Sequence, residues 1–82
     1  MKIIKWRPKA LKQIRKIKDQ QIKETIYNAV SNLEDFPNCS NIKKLKAREE
    51  YRLRVGRWRV IFTDSLEILY IEEVKKRDES TY

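Results

Sequence analysis

The sequence predicts an α+β fold of order β-α-α-β-β-β, with a helical hairpin packed on one face of a small, mainly antiparallel sheet. Three observations predict it. Between Pro8 and Phe36 the apolar residues recur at helical spacing. Between Tyr51 and Phe62 they alternate with arginine, which is the period of a strand. The links between these segments are short, so consecutive elements must lie side by side. At 82 residues the chain has room for one small domain, assigned to 1–82.

Each element follows in order. The segment Lys2–Trp6, KIIKW, alternates loosely and reads as a short first strand. Pro8 suits the first turn of a helix, where its missing N–H is not needed. From there Leu11, Ile14 and Ile17 form one apolar face, with Lys9, Lys12, Arg15 and Lys16 on the others. Asp19 can cap a second helix, in which Ile22, Ile26, Ala29, Val30 and Leu33 follow the spacing of a core face. Phe36-Pro37 closes it, because a residue before proline avoids the helical region. The short KIKD link implies that the two helices run antiparallel. Residues 38–50 read mostly as loop, with a short extended piece around IKKLK. Three strands follow, near 51–56, 57–64 and 67–74, with turns at Gly56-Arg57 and Asp64-Ser65.

Composition narrows the function. The chain holds 20 basic and 12 acidic residues, a net charge of +8, and the excess is unevenly spread. Residues 1–18 carry eight basic groups and no acid, and residues 43–59 carry eight against Glu49 and Glu50. Residues 19–42 carry one basic group and four acids. Two basic blocks, the first including Lys12 and Arg15 and the second Lys44 and Lys46, point to a polyanionic partner, most simply nucleic acid. The single cysteine, Cys39, precludes an intramolecular disulfide, and without histidine a structural zinc site is excluded. No stretch approaches the length of a membrane-spanning helix and the N-terminus lacks an apolar signal region, so the expectation is a soluble, cytoplasmic protein without a membrane partner.

Period 2 assigns the strand faces in YRLRVGRWRVIF. Tyr51, Leu53, Val55, Trp58, Val60 and Phe62 fall on the side the helices cover. Arg52, Arg54, Arg57 and Arg59 fall on the open side, joined by Ile61. A solvated structural face would mix its charges, since like charges directly opposite one another are destabilising. No carboxylate alternates with the arginines inside 51–59. The pattern therefore points to an anion site.

The stretch KLKAREEYRLRVGRWRVIF, followed by LEILYIEEVKKRDESTY, resembles the RelE/ParE superfamily of bacterial toxin–antitoxin toxins, in its RelE-like branch. The resemblance spans nearly the whole chain, and the strand and helix order agrees. It implies the toxin of a type II system: a ribosome-dependent mRNA endoribonuclease without metal or cofactor. In it the RNA 2′-hydroxyl attacks the adjacent phosphate, and translation and growth stop. By position, Arg54, Arg59, Arg77 and Tyr82 match the catalytic set, with Arg52 holding the backbone. The resemblance also implies a cognate antitoxin, and the charge suggests that it is acidic. Many RelE-like toxins carry lysine at the positions of 52 and 54. Arginine cannot act as a base, so the general base is unassigned, with Glu49, Glu50 and Glu73 the carboxylates nearest in sequence. Two alternatives stand beside this reading: a ParE-like toxin that inhibits DNA gyrase without cleaving RNA, and a non-toxic RNA-binding module of the same fold.

Overall fold

The computed structural model describes residues 2–45 and 49–76. Its elements are β1 (Ile3–Trp6), α1 (Pro8–Arg15), α2 (Gln20–Ser31) with a 3-10 turn at Asn32–Asp35, β2 (Ile42–Lys44), β3 (Glu50–Val55), β4 (Trp58–Ser65) and β5 (Ile68–Lys76). The five strands form one sheet in the order β1-β5-β4-β3-β2. All neighbours are antiparallel except β1, which runs parallel to β5. The α+β architecture is the one the sequence predicts. The extended piece at IKKLK becomes the edge strand β2, so four strands, not three, follow the helices.

The helices begin where local chemistry says they should. Pro8 opens α1. The Asp19 carboxylate accepts the backbone N–H groups of Gln21 (2.9 Å) and Ile22 (3.3 Å), satisfying two donors that the first turn of α2 leaves unpaired. The expected core face of α2 is buried at Ile26, Val30 and Leu33, with Ile22 and Ala29 packed at its edge. In α1 Ala10 and Ile14 are buried, and Ile17 reaches the core from just beyond the helix end. These residues meet Leu53, Val55, Val60, Phe62, Leu69, Ile71 and Val74 on one face of the sheet. Phe62 is fully buried and packs against both Phe36 and Tyr51. Removing an aromatic ring of this kind costs about 3–5 kcal/mol.

The turns differ in how well they were foreseen. Gly56-Arg57 joins β3 to β4, and Gly56 takes φ +58°, which glycine adopts without strain. The next turn falls on Leu66-Glu67 and not on Asp64-Ser65, because the ladder continues to the pairs Asp64–Leu69 and Ser65–Ile68. Leu66 itself adopts φ +56°. Lys2 holds this corner by bonding the Asp64 carboxylate (3.0 Å) and the Leu66 carbonyl. Beyond the end of β1, α1 covers the free edge of β5, where the Gln13 side-chain carbonyl accepts the Val74 N–H at 2.6 Å. Sheet edges left unpaired invite other chains, and this one is covered.

Candidate functional site

Register, rather than spacing alone, sets what the open face displays. Residues directly opposite across strands share a face. Arg54 lies opposite Arg59, and Arg59 lies opposite Lys75. This makes a row of three cations across β3, β4 and β5. The next row runs Lys43, Arg52, Ile61, Glu73 from β2 to β5. A third runs Glu50, Thr63, Tyr70, Lys5 from β3 to β1. The expected convergence of Arg52, Arg54 and Arg59 is therefore present in the backbone register.

Ile61 is the apolar residue in the middle of this face, and it is only 8% exposed although it lies outside the main core cluster. Arg52 and Glu73 flank it across the strands. Long charged side chains shield apolar neighbours in this way while keeping their heads in water.

The carboxylates that segment 51–59 lacks come from β5. The register shifts between Ile61 and Phe62, which pair with Glu73 and Ile71, so Glu72 is left without an opposite residue. Such a bulge re-aims side chains. Here Glu72 accepts a hydrogen bond from the Thr63 hydroxyl (2.9 Å) and pairs with Arg7 (3.4 Å), whose guanidinium lies 4.1 Å from the centre of the Tyr70 ring. Glu73 pairs with Lys9 (2.7 Å) and with Lys75 (3.3 Å). The hydrogen bond from Lys9, helped by Lys75 and opposed by partial burial, holds the Glu73 carboxyl below its ordinary range. It is a fixed anion and a weak proton acceptor.

The remaining candidates fall elsewhere. Lys44 pairs with Tyr51 on the helix side, with its ammonium 6.0 Å from that ring; Lys43 is the β2 residue beside Arg52. Lys12 and Arg15 are exposed on α1, whose other side packs against the sheet. Glu49 is exposed just before β3, and Glu50 stands in the third row. Lys46, Arg77 and Tyr82 lie outside the described residues. Cys39 is half-buried, and burial together with Asp35 pushes its thiol pKa up, which makes it a poor nucleophile. Among the described residues no three histidine, cysteine or acidic side chains gather as metal ligands, and no helix is long and apolar enough to cross a membrane. Sequence reading missed Lys43 and Lys75 as members of the face, and named Glu73 only as a carboxylate nearby in sequence. Period 2 counted from Tyr70 through the bulge would have misassigned the last two.

The family model for the ParE toxin of the type II toxin–antitoxin system parDE matches residues 4–81. The chain belongs to this toxin family. The expectation of a RelE/ParE superfamily toxin is thereby met. A comparison with curated protein sequences finds no match. Among solved structures, this ParE-family toxin is similar to the toxin–antitoxin complex RelB–RelE from Methanococcus jannaschii, with a TM-score of 0.77 at 20% identity over 95% of this chain and 94% of that one. It is also similar to the intact E. coli RelBE complex (TM-score 0.76, 20% identity, 96% of this chain and 100% of that one). A third is the chromosomal ParDE system from P. aeruginosa (TM-score 0.80, 15% identity, 95% and 98%). At these identities the likeness is one of fold, and it embraces both RelE- and ParE-named toxins.

Proposed function

We propose that this toxin is a ribosome-dependent mRNA endoribonuclease that halts translation in the cytoplasm and is neutralised by a cognate acidic antitoxin. The observation that carries the reading is the direct opposition of Arg54 and Arg59 on the face of the sheet away from the helices, beside Arg52 and Lys43. Two guanidinium groups on facing positions of neighbouring strands suit an anion between them, and an RNA phosphate is such an anion. In the reaction the 2′-hydroxyl attacks the adjacent phosphate and the 5′ oxygen leaves. Negative charge grows on the phosphate oxygens as it does so. The rigid fork of Arg59, with Arg77 after β5, suits two such oxygens and acts most strongly in the transition state. Arg52 and Arg54 hold the backbone, and Tyr82 stacks on a base. Glu73, held as an anion by Lys9 and Lys75, is a poor general base. The rate then rests on alignment of the 2′-hydroxyl and on charge stabilisation.

The test is toeprinting of mRNA on programmed ribosomes, with cleavage expected only when ribosomes are present. The second reading, inhibition of DNA gyrase without RNA chemistry, is favoured by the match to the ParE family model and by the likeness to the ParDE system. A supercoiling assay separates the two. Uncut mRNA together with blocked supercoiling would replace the first reading by the second.

A further inference from the structure

The run VKKR places two lysines side by side near the end of β5, and the sheet sends them to opposite faces. Lys76 pairs with Trp58 and lines a groove on the helix side with Gln21, Ile22 and Thr25. Lys75 pairs with Arg59 on the open side and extends the Arg54–Arg59 opposition to a third strand. Adjacent strands lie about 4.8 Å apart, so the row spans about 10 Å. Its own positions hold no carboxylate. The acid that steadies Lys75 is Glu73, two residues earlier on the same face, 3.3 Å away and itself anchored by Lys9. The Glu73 side chain is 15% exposed and that of Lys75 is 55% exposed. The carboxylate is thus set back while the ammonium stands forward. An ammonium has three donors, and one ion pair leaves others for an anion.

We propose that Lys75 is a third anion-contacting residue of this face. It takes a phosphate oxygen beside the one held by Arg54 and Arg59, so that the row grips two consecutive phosphates of a single-stranded nucleic acid. Glu73 is the positioning residue that holds the ammonium over the sheet. The identity of the strand rests on the ribonuclease reading; the grip on phosphates does not.

The experiment measures binding of a fluorescein-labelled single-stranded 2′-deoxyribo-oligonucleotide by fluorescence anisotropy across a salt series. This probe lacks the attacking hydroxyl and reports affinity alone. Each single-strand phosphate contact contributes about 0.7 to the slope of log K against log salt. Lys75→Gln is expected to lower the slope by about that amount, Lys75→Arg to keep it, and Lys76→Gln, which removes the same charge from the other face, to leave it unchanged. Equal slopes for Lys75→Gln and Lys76→Gln overturn the proposal, as does a parent that does not bind the probe at low salt. Ribosome toeprinting keeps the two readings apart. A toxin that leaves mRNA uncut while Lys75→Gln still lowers the slope refutes the ribonuclease reading and supports the row. A toxin that cuts mRNA while Lys75→Gln keeps the parental slope does the reverse.

Discussion

At the scale of single residues, the face of each arginine follows from a rule of two, and that much was legible in YRLRVGRWRVIF. Rows across strands were not, because register belongs to pairs of strands and one sequence holds only one strand at a time. The distinction predicts how substitutions divide. On the ribonuclease reading, Arg59→Ala removes a charge that stabilises the transition state and should lower cleavage of ribosome-bound mRNA by on the order of 10²–10³. Lys12→Ala, on the exposed side of α1, should weaken binding slightly and evenly across codons. Equal, small losses for both in a single-turnover cleavage assay would remove the active site from the sheet. Glu73 makes a second residue-scale prediction. Its pKa is lower in the fold than in the unfolded chain, chiefly because Lys9 bonds the charged form. The stability it contributes is therefore fully present above the ordinary glutamate value of 4.5 and is lost as pH falls through the lower folded value. Glu73→Gln should lower the melting temperature at neutral pH, and the gap from the parent should close as the pH drops below 4.5. A gap that stays constant from pH 7 to pH 3 would show that the carboxylate's charge is not what holds Lys9 and Lys75.

At the scale of elements, the two helices were readable because their periodicity and their starts are local. Pro8 and Asp19 act on the backbone within a turn. Asp19→Ala should cost about 1 kcal/mol of stability by leaving the Gln21 and Ile22 N–H groups unpaired, while Asp19→Ser should recover most of it. Urea unfolding monitored by circular dichroism measures this, and an unchanged midpoint for Asp19→Ala would mean that the cap contributes nothing. The strands were harder to place. β2 is three residues long, and it exists because Ile42, Lys43 and Lys44 find Leu53, Arg52 and Tyr51 across the gap. Nothing in IKK alone dictates that. The β4–β5 turn was misplaced for a similar reason: Asp64 and Ser65 look like turn residues, yet pairing with Leu69 and Ile68 carries them into the ladder and leaves the turn to Leu66. Tertiary pairing overrode local turn preference. The bulge beside Ile61 is the costliest element to miss, because it brings Glu72 and Glu73 to the open face together.

At the scale of the whole molecule, the net charge of +8 was plain in the composition, but its layout was not. The basic block at 1–18 divides: Arg7 and Lys9 reach around to Glu72 and Glu73 on the open face, while Lys12 and Arg15 stay exposed on α1. The block at 43–59 divides too, with Lys43, Arg52, Arg54 and Arg59 on the open face and Lys44 behind it. Positive charge thus lies on both sides of the sheet, and a partner that neutralises all of it must reach more than one side. A rigid globular inhibitor meets one surface. An acidic, partly disordered chain can wrap several, ordering as it binds and bringing carboxylates to each basic region. Such a partner also stabilises the fold it wraps, because anything that binds only the folded state adds to its stability. The prediction is that a small acidic protein encoded beside this toxin will abolish its toxicity on co-expression and raise its urea midpoint in the purified complex. The complex should also resist salt better than the oligonucleotide complex does, because the antitoxin contributes apolar contacts as well as charge. If no neighbouring small reading frame relieves toxicity, the wrapped-antitoxin account fails. If one does, but the complex dissociates at the same salt concentration as the oligonucleotide, the partner binds through charge alone and apolar packing has no part in the neutralisation.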